Sequence, residues 1–235
     1  MSLLKPIQNG RMYPGWWRWN PIAGCLHDCS YCYMKTMSKR CGKDMMTPTG
    51  LREEYLNDIL GSGKKIFVGS SGDMWGKWVQ SWRIDEVLWR CRNYTDNEYM
   101  FLTKNPERYA GWRSDWRALN CILGATIETD LTSIAKEVGN APDVLYRLAR
   151  MKEAREMCIP RGRTMISIEP VVQFSPDFAA RLKTVASDII YIGVDSGKNG
   201  LPEPSPDELQ GLIDELRAFT DVRLKAGIER LLPDA

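Results

Sequence analysis

Short apolar runs alternate with longer amphipathic segments along this chain, and the alternation limits the folds open to it. The apolar runs predict seven strands, at residues 20–24, 65–69, 98–103, 120–127, 164–168, 189–193 and 222–224. Helical periodicity predicts helices over 49–60, 83–93, 143–157, 177–185 and 205–219. Strands and helices that alternate at roughly 30-residue intervals form right-handed βαβ units and a parallel sheet. Seven strands are too few for a closed eightfold barrel. We therefore expect an α/β fold, a partial open (βα)6-type TIM barrel.

Length and charge narrow the class of protein. The 235 residues suffice for one large domain, and no repeat or long linker divides them. We predict a single domain over 1–235, with an N-terminal extension over 1–18 and the barrel core over 19–225. The net charge of +2 gives no global basic field. No run of 18 apolar residues and no secretory leader pattern is visible, so we expect a cytoplasmic protein that does not contact membranes.

Polar residues follow nearly every predicted strand. In parallel α/β folds, ligands bind at the carboxyl ends of the strands. Loops are polar in any protein, and Gly, Ser and Asp form turns, so the pattern also fits ordinary connections. Its recurrence at seven strand ends favours a common site. The residues concerned are Cys25, Cys29, Cys32, Ser71, Gly72, Asp73, Lys104, Thr126, Glu128, Ser167, Glu169, Asp195 and Lys225.

Three cysteines lie within eight residues, in the pattern Cys25-x3-Cys29-x2-Cys32. Three thiolates on one loop can bind three irons of a [4Fe–4S] cluster and leave the fourth iron open, whereas an ordinary cluster takes four cysteines. Zinc is the alternative, with His27 or Cys41 as a fourth ligand. His27 is poorly placed for that role inside the cysteine loop, which makes it a surface residue or a neighbour of the ligands. The other cysteines are scattered, so we expect plain thiols and no auxiliary cluster: Cys41, Cys91, Cys121 and Cys158.

The cysteine spacing, with Tyr31 before the third cysteine, resembles the signature of the radical S-adenosylmethionine (SAM) superfamily. The resemblance implies that Cys25, Cys29 and Cys32 bind a [4Fe–4S] cluster whose open iron holds the amino and carboxylate groups of SAM. Tyr31 would then lie against the adenine.

The same resemblance extends to the ends of later strands. In the superfamily, a Gly-Gly-Glu-like element after the second strand receives the SAM amino group, and Ser71-Gly72-Asp73 occupies that place here with Asp instead of Glu. A carboxylate or an exposed carbonyl suits an ammonium group. The remaining implied contacts are Lys104 to the SAM carboxylate, Thr126 and Glu128 to the ribose hydroxyls, and Ser167 or Glu169 to SAM or substrate.

A narrower resemblance rests on the order of four segments, 19–21, 102–108, 167–170 and 193–197. Together they are similar to a compact phage-associated radical SAM family, with likeness to the spore photoproduct lyase branch. Where that family usually has Glu before Ser-Gly, this chain has Asp195. The resemblance implies an external one-electron donor such as flavodoxin, and action in the host cytoplasm if the protein is phage-encoded.

The predicted reaction is hydrogen abstraction by a 5′-deoxyadenosyl radical. With no auxiliary cluster to accept an extra electron, a redox-neutral isomerisation is favoured. An aminoacylated thymidine in phage DNA fits the resemblance, with Glu169, Asp195 and Lys225 as catalytic residues and Glu169 or Asp195 holding the substrate ammonium. Radical SAM modification of a peptide or small metabolite is one alternative. A noncatalytic, zinc-bound DNA-binding module is another.

Aromatic and basic residues concentrate in the first half of the chain. All nine tryptophans lie between positions 16 and 116. Burial in a core accounts for most of them. Rings interleaved with cations also suit stacking on bases and binding phosphates, even at low net charge. The predicted nucleic-acid contacts are Trp16, Trp17, Arg18, Lys39 and Arg40.

Overall fold

A mostly parallel sheet organises the chain in the computed structural model, which describes residues 3–8, 13–158 and 161–232. The strands are β1 (Lys5–Pro6), β2 (Trp17–Trp19), β3 (Ile22–Ala23), β4 (Gly50–Leu51), β5 (Lys65–Val68), β6 (Glu98–Thr103), β7 (Cys121–Thr126), β8 (Arg163–Ile168), β9 (Ile189–Ile192) and β10 (Asp221–Leu224). They pair in the order β1-β2-β5-β6-β7-β8-β9-β10, with β1 antiparallel and all later pairs parallel. β3 and β4 form a separate antiparallel pair.

Helices follow most of the strands. They are α1 (Tyr33–Cys41), α2 (Glu53–Leu56), α3 (Ser81–Arg92), α4 (Arg113–Ala118), α5 (Thr132–Glu137), α6 (Val144–Cys158), α7 (Phe178–Lys183) and α8 (Pro206–Arg217). Two 3₁₀ turns add Pro106–Trp112 and Ile228–Arg230. No helix in the part of the chain that is described is long and apolar enough to cross a membrane.

Six of the seven predicted strands are confirmed, as β5 to β10, with small differences at their ends. The middle residues of β5 to β8 are buried on both faces, which is why these strands read as apolar runs, whereas the edge strand β10 is half-buried to exposed. The long helices α3, α6 and α8 are confirmed as well, and the helix predicted at 177–185 is present as the shorter α7. α8 starts as its sequence predicts, because the Ser205 side chain and Glu208 form a capping box ahead of Pro206.

Two predicted elements are wrong. The first strand, predicted at 20–24, lies at Trp17–Trp19, because Pro21 has no N–H to continue the ladder. Residues 22–23 pair with Gly50–Leu51 instead, and this pairing also shortens the helix predicted at 49–60 to Glu53–Leu56. Within the predicted N-terminal extension of residues 1–18, Lys5–Pro6 and residues 17–18 lie in strands of the main sheet. Positions 1–2 and 9–12 of that extension lie outside the described residues.

The sheet is open and strongly curved. β1 and β10 are its two edges among the described residues. The Tyr13 ring contacts both Phe67 on β5 and Tyr191 on β9, at centroid distances of 5.4 and 4.9 Å. In a flat sheet, four strand spacings of about 4.8 Å would hold those two side chains ~19 Å apart. The sheet therefore wraps around Tyr13, with a small inner core on its concave side and the main core under the helices.

Candidate functional site

The cysteine loop lies at the carboxyl edge of the sheet. Cys29 is buried and Cys25 and Cys32 are half-buried, and all seven cysteines of the chain are free thiols. Backbone hydrogen bonds fix the loop to two other segments: Cys25 N donates to Met46 O at 2.7 Å, and Ser30 N donates to Val138 O at 2.9 Å. Cys32 is the N-cap residue of α1. The loop is thus held in place by protein contacts before any ligand binds.

Two glycines let the start of the cysteine loop pack closely against its neighbours: Gly24 against the segment before β4, and Gly72, in the loop that follows β5, against Gly24. Gly24 has a left-handed backbone (φ +86°), and a Cβ there would lie 2.4 Å from Thr47 O. A Cβ on Gly72 would lie 2.5 Å from Gly24 O. A side chain at position 24 would push the cysteine loop away from the segment before β4, and one at position 72 would push it away from the loop after β5. The Gly72 of the predicted SAM-binding element is therefore needed for close approach of the two backbones.

Asp73 and His27 form a buried pair beneath the cysteine loop. His27 is 4% exposed, so its placement as a surface residue is wrong, and its Nε2 lies 2.8 Å from Asp73 Oδ2. Asp73 also accepts hydrogen bonds from Thr103 Oγ1, Lys104 N and Trp75 N at 2.8 to 3.0 Å. Burial pushes the pKa of Asp73 upward, but the hydrogen bonds and the charge of His27 outweigh it and leave the pKa below its ordinary value.

A second buried network joins Tyr31, Lys104 and Glu128. Glu128 is fully buried; one of its oxygens accepts from Lys104 Nζ and Tyr31 OH, and the other accepts from Arg147 Nη1 at 2.8 Å. Arg147, which is 1% exposed, also donates to Thr126 O at 2.5 Å. The Lys104 ammonium lies 4.7 Å from the Tyr31 ring centroid. Four of the residues predicted to bind SAM are thus brought together: Tyr31, Lys104, Thr126 and Glu128.

Burial shifts the pKa values of two ionisable groups in this region, Lys104 and Cys25. Burial lowers the pKa of Lys104 to about 8, although its interaction with Cys29 acts in the opposite direction. Burial, together with the charge of Asp73, raises the pKa of Cys25 to about 12. Because metals bind thiolates, iron binding at Cys25 would release a proton.

The predicted catalytic residues separate into two places. Lys225, at the end of β10, pairs with Glu169, and its Nζ lies 4.2 Å from the Tyr13 ring centroid inside the curved sheet. Asp195 is 4% exposed and accepts from Asn199 N and Nδ2. It lines a cavity of about 300 Å³ with Lys198, Gly200, Leu201, Glu203 and Arg230. The structure therefore brings Glu169 and Lys225 together and directs the Asp195 carboxylate to a neighbouring turn.

The predicted nucleic-acid contacts are only partly available at the surface. Trp16 is 7% exposed and lies in the inner core, so its assignment as a stacking residue is wrong. Trp17 is half-buried, with Lys64 Nζ 5.0 Å from its ring centroid. Arg18, Lys39 and Arg40 are exposed. The basic residues of the prediction remain accessible, and the tryptophans serve mainly as core.

Sequence reasoning missed two residues of the site, Arg147 and Tyr13. Arg147 lies on the buried side of α6 with Val144, Leu148 and Met151. The sequence did hold a sign of this role, because Arg147 is a charged residue at a position that the helical pattern assigns to the core, where a charge needs a buried partner. Tyr13 had no such signal, since only the curvature of the sheet brings it to Lys225. Among the described residues, no three His, Cys, Asp or Glu side chains are grouped closely enough to hold a single metal ion.

Comparison with solved structures defines the fold class. Spore photoproduct lyase complexed with dinucleoside spore photoproduct matches with a TM-score of 0.58 and 12% identity, over 92% of this chain and 74% of that chain. A cysteine-to-serine mutant of spore photoproduct lyase matches with a TM-score of 0.58 and 11% identity, over 97% and 78%. A double mutant of the same lyase with bound AdoMet and dinucleoside spore photoproduct gives 0.57 and 12%, over 92% and 74%. The chain shares the fold of these structures.

The sequence itself identifies the family. The family described as "Protein of unknown function (DUF5131)" matches residues 16–199, and the chain belongs to it. No curated protein matches the sequence.

Proposed function

We propose that this protein is a radical SAM enzyme. The observation that carries the proposal is the place of three free cysteines, Cys25, Cys29 and Cys32, at the carboxyl edge of a parallel sheet and beside the buried network of Lys104 and Glu128. Three thiols on one loop match three irons of a [4Fe–4S] cluster. The network interacts directly with the loop, since Lys104 and Tyr31 both have electrostatic contact with Cys29. The donor set therefore fits the cluster.

The protein's own residues would bind and orient SAM. Lys104 supplies an ammonium for the SAM carboxylate, and Arg147 compensates the charge of Glu128 so that Lys104 is not its sole counter-ion. Thr126 and Glu128 stand at the end of β7, the place expected for ribose contacts, with Ser167 at the end of the adjacent β8. Ser71 and Gly72 lie in the loop after β5, where their N–H groups donate to Asn20 Oδ1 and Gly69 O, so their proposed contact with SAM would be through carbonyl oxygens. When bound, the cluster and SAM would supply a 5′-deoxyadenosyl radical.

We place the substrate on the concave side of the sheet, near Glu169 and Lys225. An ion pair above aromatic rings can bind a substrate that carries both an ammonium and an anionic group. A modified thymidine in DNA, rearranged without net oxidation, fits this site and the exposed basic residues Arg18, Lys39 and Arg40. Spore photoproduct lyase, whose fold is shared, binds a dinucleoside lesion. The proposal also includes two points that the sequence resemblance implies. The enzyme would act on phage DNA, and an external one-electron donor such as flavodoxin would reduce its cluster.

The partial barrel is part of the same proposal. Seven parallel strands lie side by side in chain order, so successive right-handed crossovers stack the helices on one face. The curvature around Tyr13 supports an open (βα)-type barrel whose concave side faces the substrate.

Anaerobic reconstitution with iron and sulfide tests the proposal. We expect a brown protein with iron bound in a cluster, and formation of 5′-deoxyadenosine and methionine after reduction in the presence of SAM. Cys29→Ser should lose the cluster, whereas Cys41→Ser, a change at an exposed thiol of α1, should keep it. Tight zinc in place of iron, with no SAM cleavage, would instead support a noncatalytic zinc-bound module.

A further inference from the structure

His27 is the only histidine in the chain, and it points inward from the cysteine loop. Its ring packs edge-on against Trp78, with centroids 4.9 Å apart. Its carbonyl oxygen accepts a hydrogen bond from Asn140 N at 2.6 Å. With Nε2 bound to Asp73, the residue between Cys25 and Cys29 is fixed on three sides. The middle of the cysteine loop is therefore tied to the protein interior through His27.

Asp73 has no acceptor capacity left for a ligand. A carboxylate offers about four lone-pair positions. Four protein donors occupy them: His27 Nε2, Trp75 N, Thr103 Oγ1 and Lys104 N. Because the pKa of Asp73 lies below its ordinary value, the carboxylate is ionised and the Nε2 of His27 is the donor. Asp73 therefore holds these four protein groups in place and is not available to bind the SAM ammonium group.

We propose that His27 and Asp73 act as a positioning pair, the His27–Asp73 clamp, which holds the cysteine loop in its ligand-binding conformation and places a fixed negative charge beside Cys25. The pair replaces the role in binding the SAM amino group that the sequence suggested for Asp73. The inference rests on the proposed function, because the charge acts on the proposed cluster.

Asp73 lies beside the start of the cysteine loop, because its backbone N–H donates to the carbonyl oxygen of Gly24, the residue before Cys25, at 3.2 Å. A negative charge that disfavours a thiolate also disfavours the addition of an electron to a cluster bound by that thiolate. Charge and hydrogen bonding near the sulfurs are established determinants of cluster potential. The clamp should therefore keep the potential of the cluster low, as an electron donor to a sulfonium requires.

The first test uses the protein without iron and measures how fast a thiol reagent modifies Cys29, which is 7% exposed. We expect His27→Ala to accelerate modification about tenfold or more, because it removes a buried hydrogen bond to a charged group. His27→Gln keeps an N–H donor and should change the rate much less. Asp28→Asn is the matched control, since Asp28 lies in the same loop but is exposed and pairs with Lys35.

The second test measures the midpoint potential of the reconstituted cluster without SAM. Asp73→Asn preserves the size of the side chain and removes its charge, so we expect a shift to more positive potential; Asp28→Asn should leave the potential unchanged. SAM affinity of Asp73→Asn should stay within about threefold of the wild type. A loss of affinity of about tenfold or more with an unchanged potential would show that Asp73 binds the amino group, and would overturn the clamp.

The two tests separate this inference from the proposed function. If the wild type assembles no cluster, the proposed function fails and the proposed effect on potential fails with it. The Cys29 reaction rate still tests whether the clamp holds the loop. The same measurement remains available when the Asp73→Asn variant does not fold. An unchanged rate in His27→Ala overturns the clamp even if the wild type is a radical SAM enzyme.

Discussion

The Glu128 carboxylate has no exposed surface and lies between two buried cations, Lys104 and Arg147. Both cations are needed to stabilise its negative charge in the protein interior. Bringing such charges out of water costs several kcal/mol per ion, so the ions tolerate burial only as a satisfied set. Arg147 is the member that touches Glu128 and the backbone of Thr126 at once. It connects α6 to the end of β7, where the proposed SAM contacts lie.

Replacing Arg147 should therefore be costly. Arg147→Met leaves Glu128 paired on one side only, and we expect a loss of about 3–5 kcal/mol in the free energy of unfolding, measured by denaturant titration. Arg150→Met on the same helix is the control; its pair with Glu153 is partly exposed, and we expect a loss of less than ~1 kcal/mol. The double variant Glu128→Gln/Arg147→Met should recover part of the loss. Equal losses for Arg147→Met and Arg150→Met would contradict this account.

At the scale of single elements, α1 connects the cysteine loop to the protein surface. It begins after Cys32 and ends at Gly42, whose left-handed backbone (φ +61°) closes the helix. Its last turn carries Lys39 and Arg40, both exposed. Cations at this end also interact favourably with the helix dipole. The element thus presents two basic side chains close to the proposed active site.

If these cations contact phosphates, reversing them should weaken DNA binding. We expect Lys39→Glu/Arg40→Glu to lower duplex affinity and to reduce the slope of log K against log salt by about 1 for each lost contact. Fluorescence anisotropy over a salt series measures both quantities. Arg113→Glu/Arg117→Glu, which changes two exposed cations on α4, is the control. The same loss of affinity in both double variants would mean that α1 has no particular role.

The start of α8 gives a separate prediction. Ser205→Ala removes the oxygen that accepts from Glu208 N, and we expect a loss of about 1 kcal/mol in the free energy of unfolding. Ser133→Ala, at an exposed position within α5, should change stability by less than ~0.5 kcal/mol. Denaturant titration compares the two variants. A Ser205→Ala loss no larger than that of Ser133→Ala would show that the capping box adds nothing.

For the whole molecule, the decisive feature is a sheet wrapped around one aromatic ring. Tyr13 is 1% exposed and packs with Phe67, Met100, Ile122 and Met165 on the concave side. Those residues come from four neighbouring strands. A side chain from outside the strands thus fills the space that the curvature creates.

Removing the Tyr13 ring should leave a cavity in the inner core. We expect Tyr13→Ala to reduce the free energy of unfolding by about 3–5 kcal/mol. Tyr146→Ala on α6, where the ring is 38% exposed, should cost less than ~1 kcal/mol. Tyr13→Phe keeps the ring and should retain most of the stability. If Tyr13→Ala is as stable as Tyr13→Phe, the ring does not support the curvature of the sheet.

The elements that the sequence predicts well are those whose burial is local and periodic. β6, β7 and β8 are apolar on both faces, and α8 carries its own cap, so each can be found from its own residues. The first strand was predicted three residues too late in the sequence, because the position of β2 depends on its pairing with β5 and on Pro21. Arg147 and Tyr13 reach the candidate site only through tertiary packing. The cysteine spacing was visible in sequence, but the enclosure of His27 by Asp73 and Trp78 was not.

Cys32 is both the last cysteine of the loop and the N-cap residue of α1. A helix is stiff, and the rise along α1 from that cysteine to Lys39 and Arg40 is about 11–12 Å. Cys32 and the two cations therefore belong to one short, stiff element, and its length fixes how far the cations lie from the cysteine loop. A DNA backbone bound by Lys39 and Arg40 would lie about two helical turns from the cysteines, so the length of α1 sets the distance between the phosphate-binding surface and the proposed cluster.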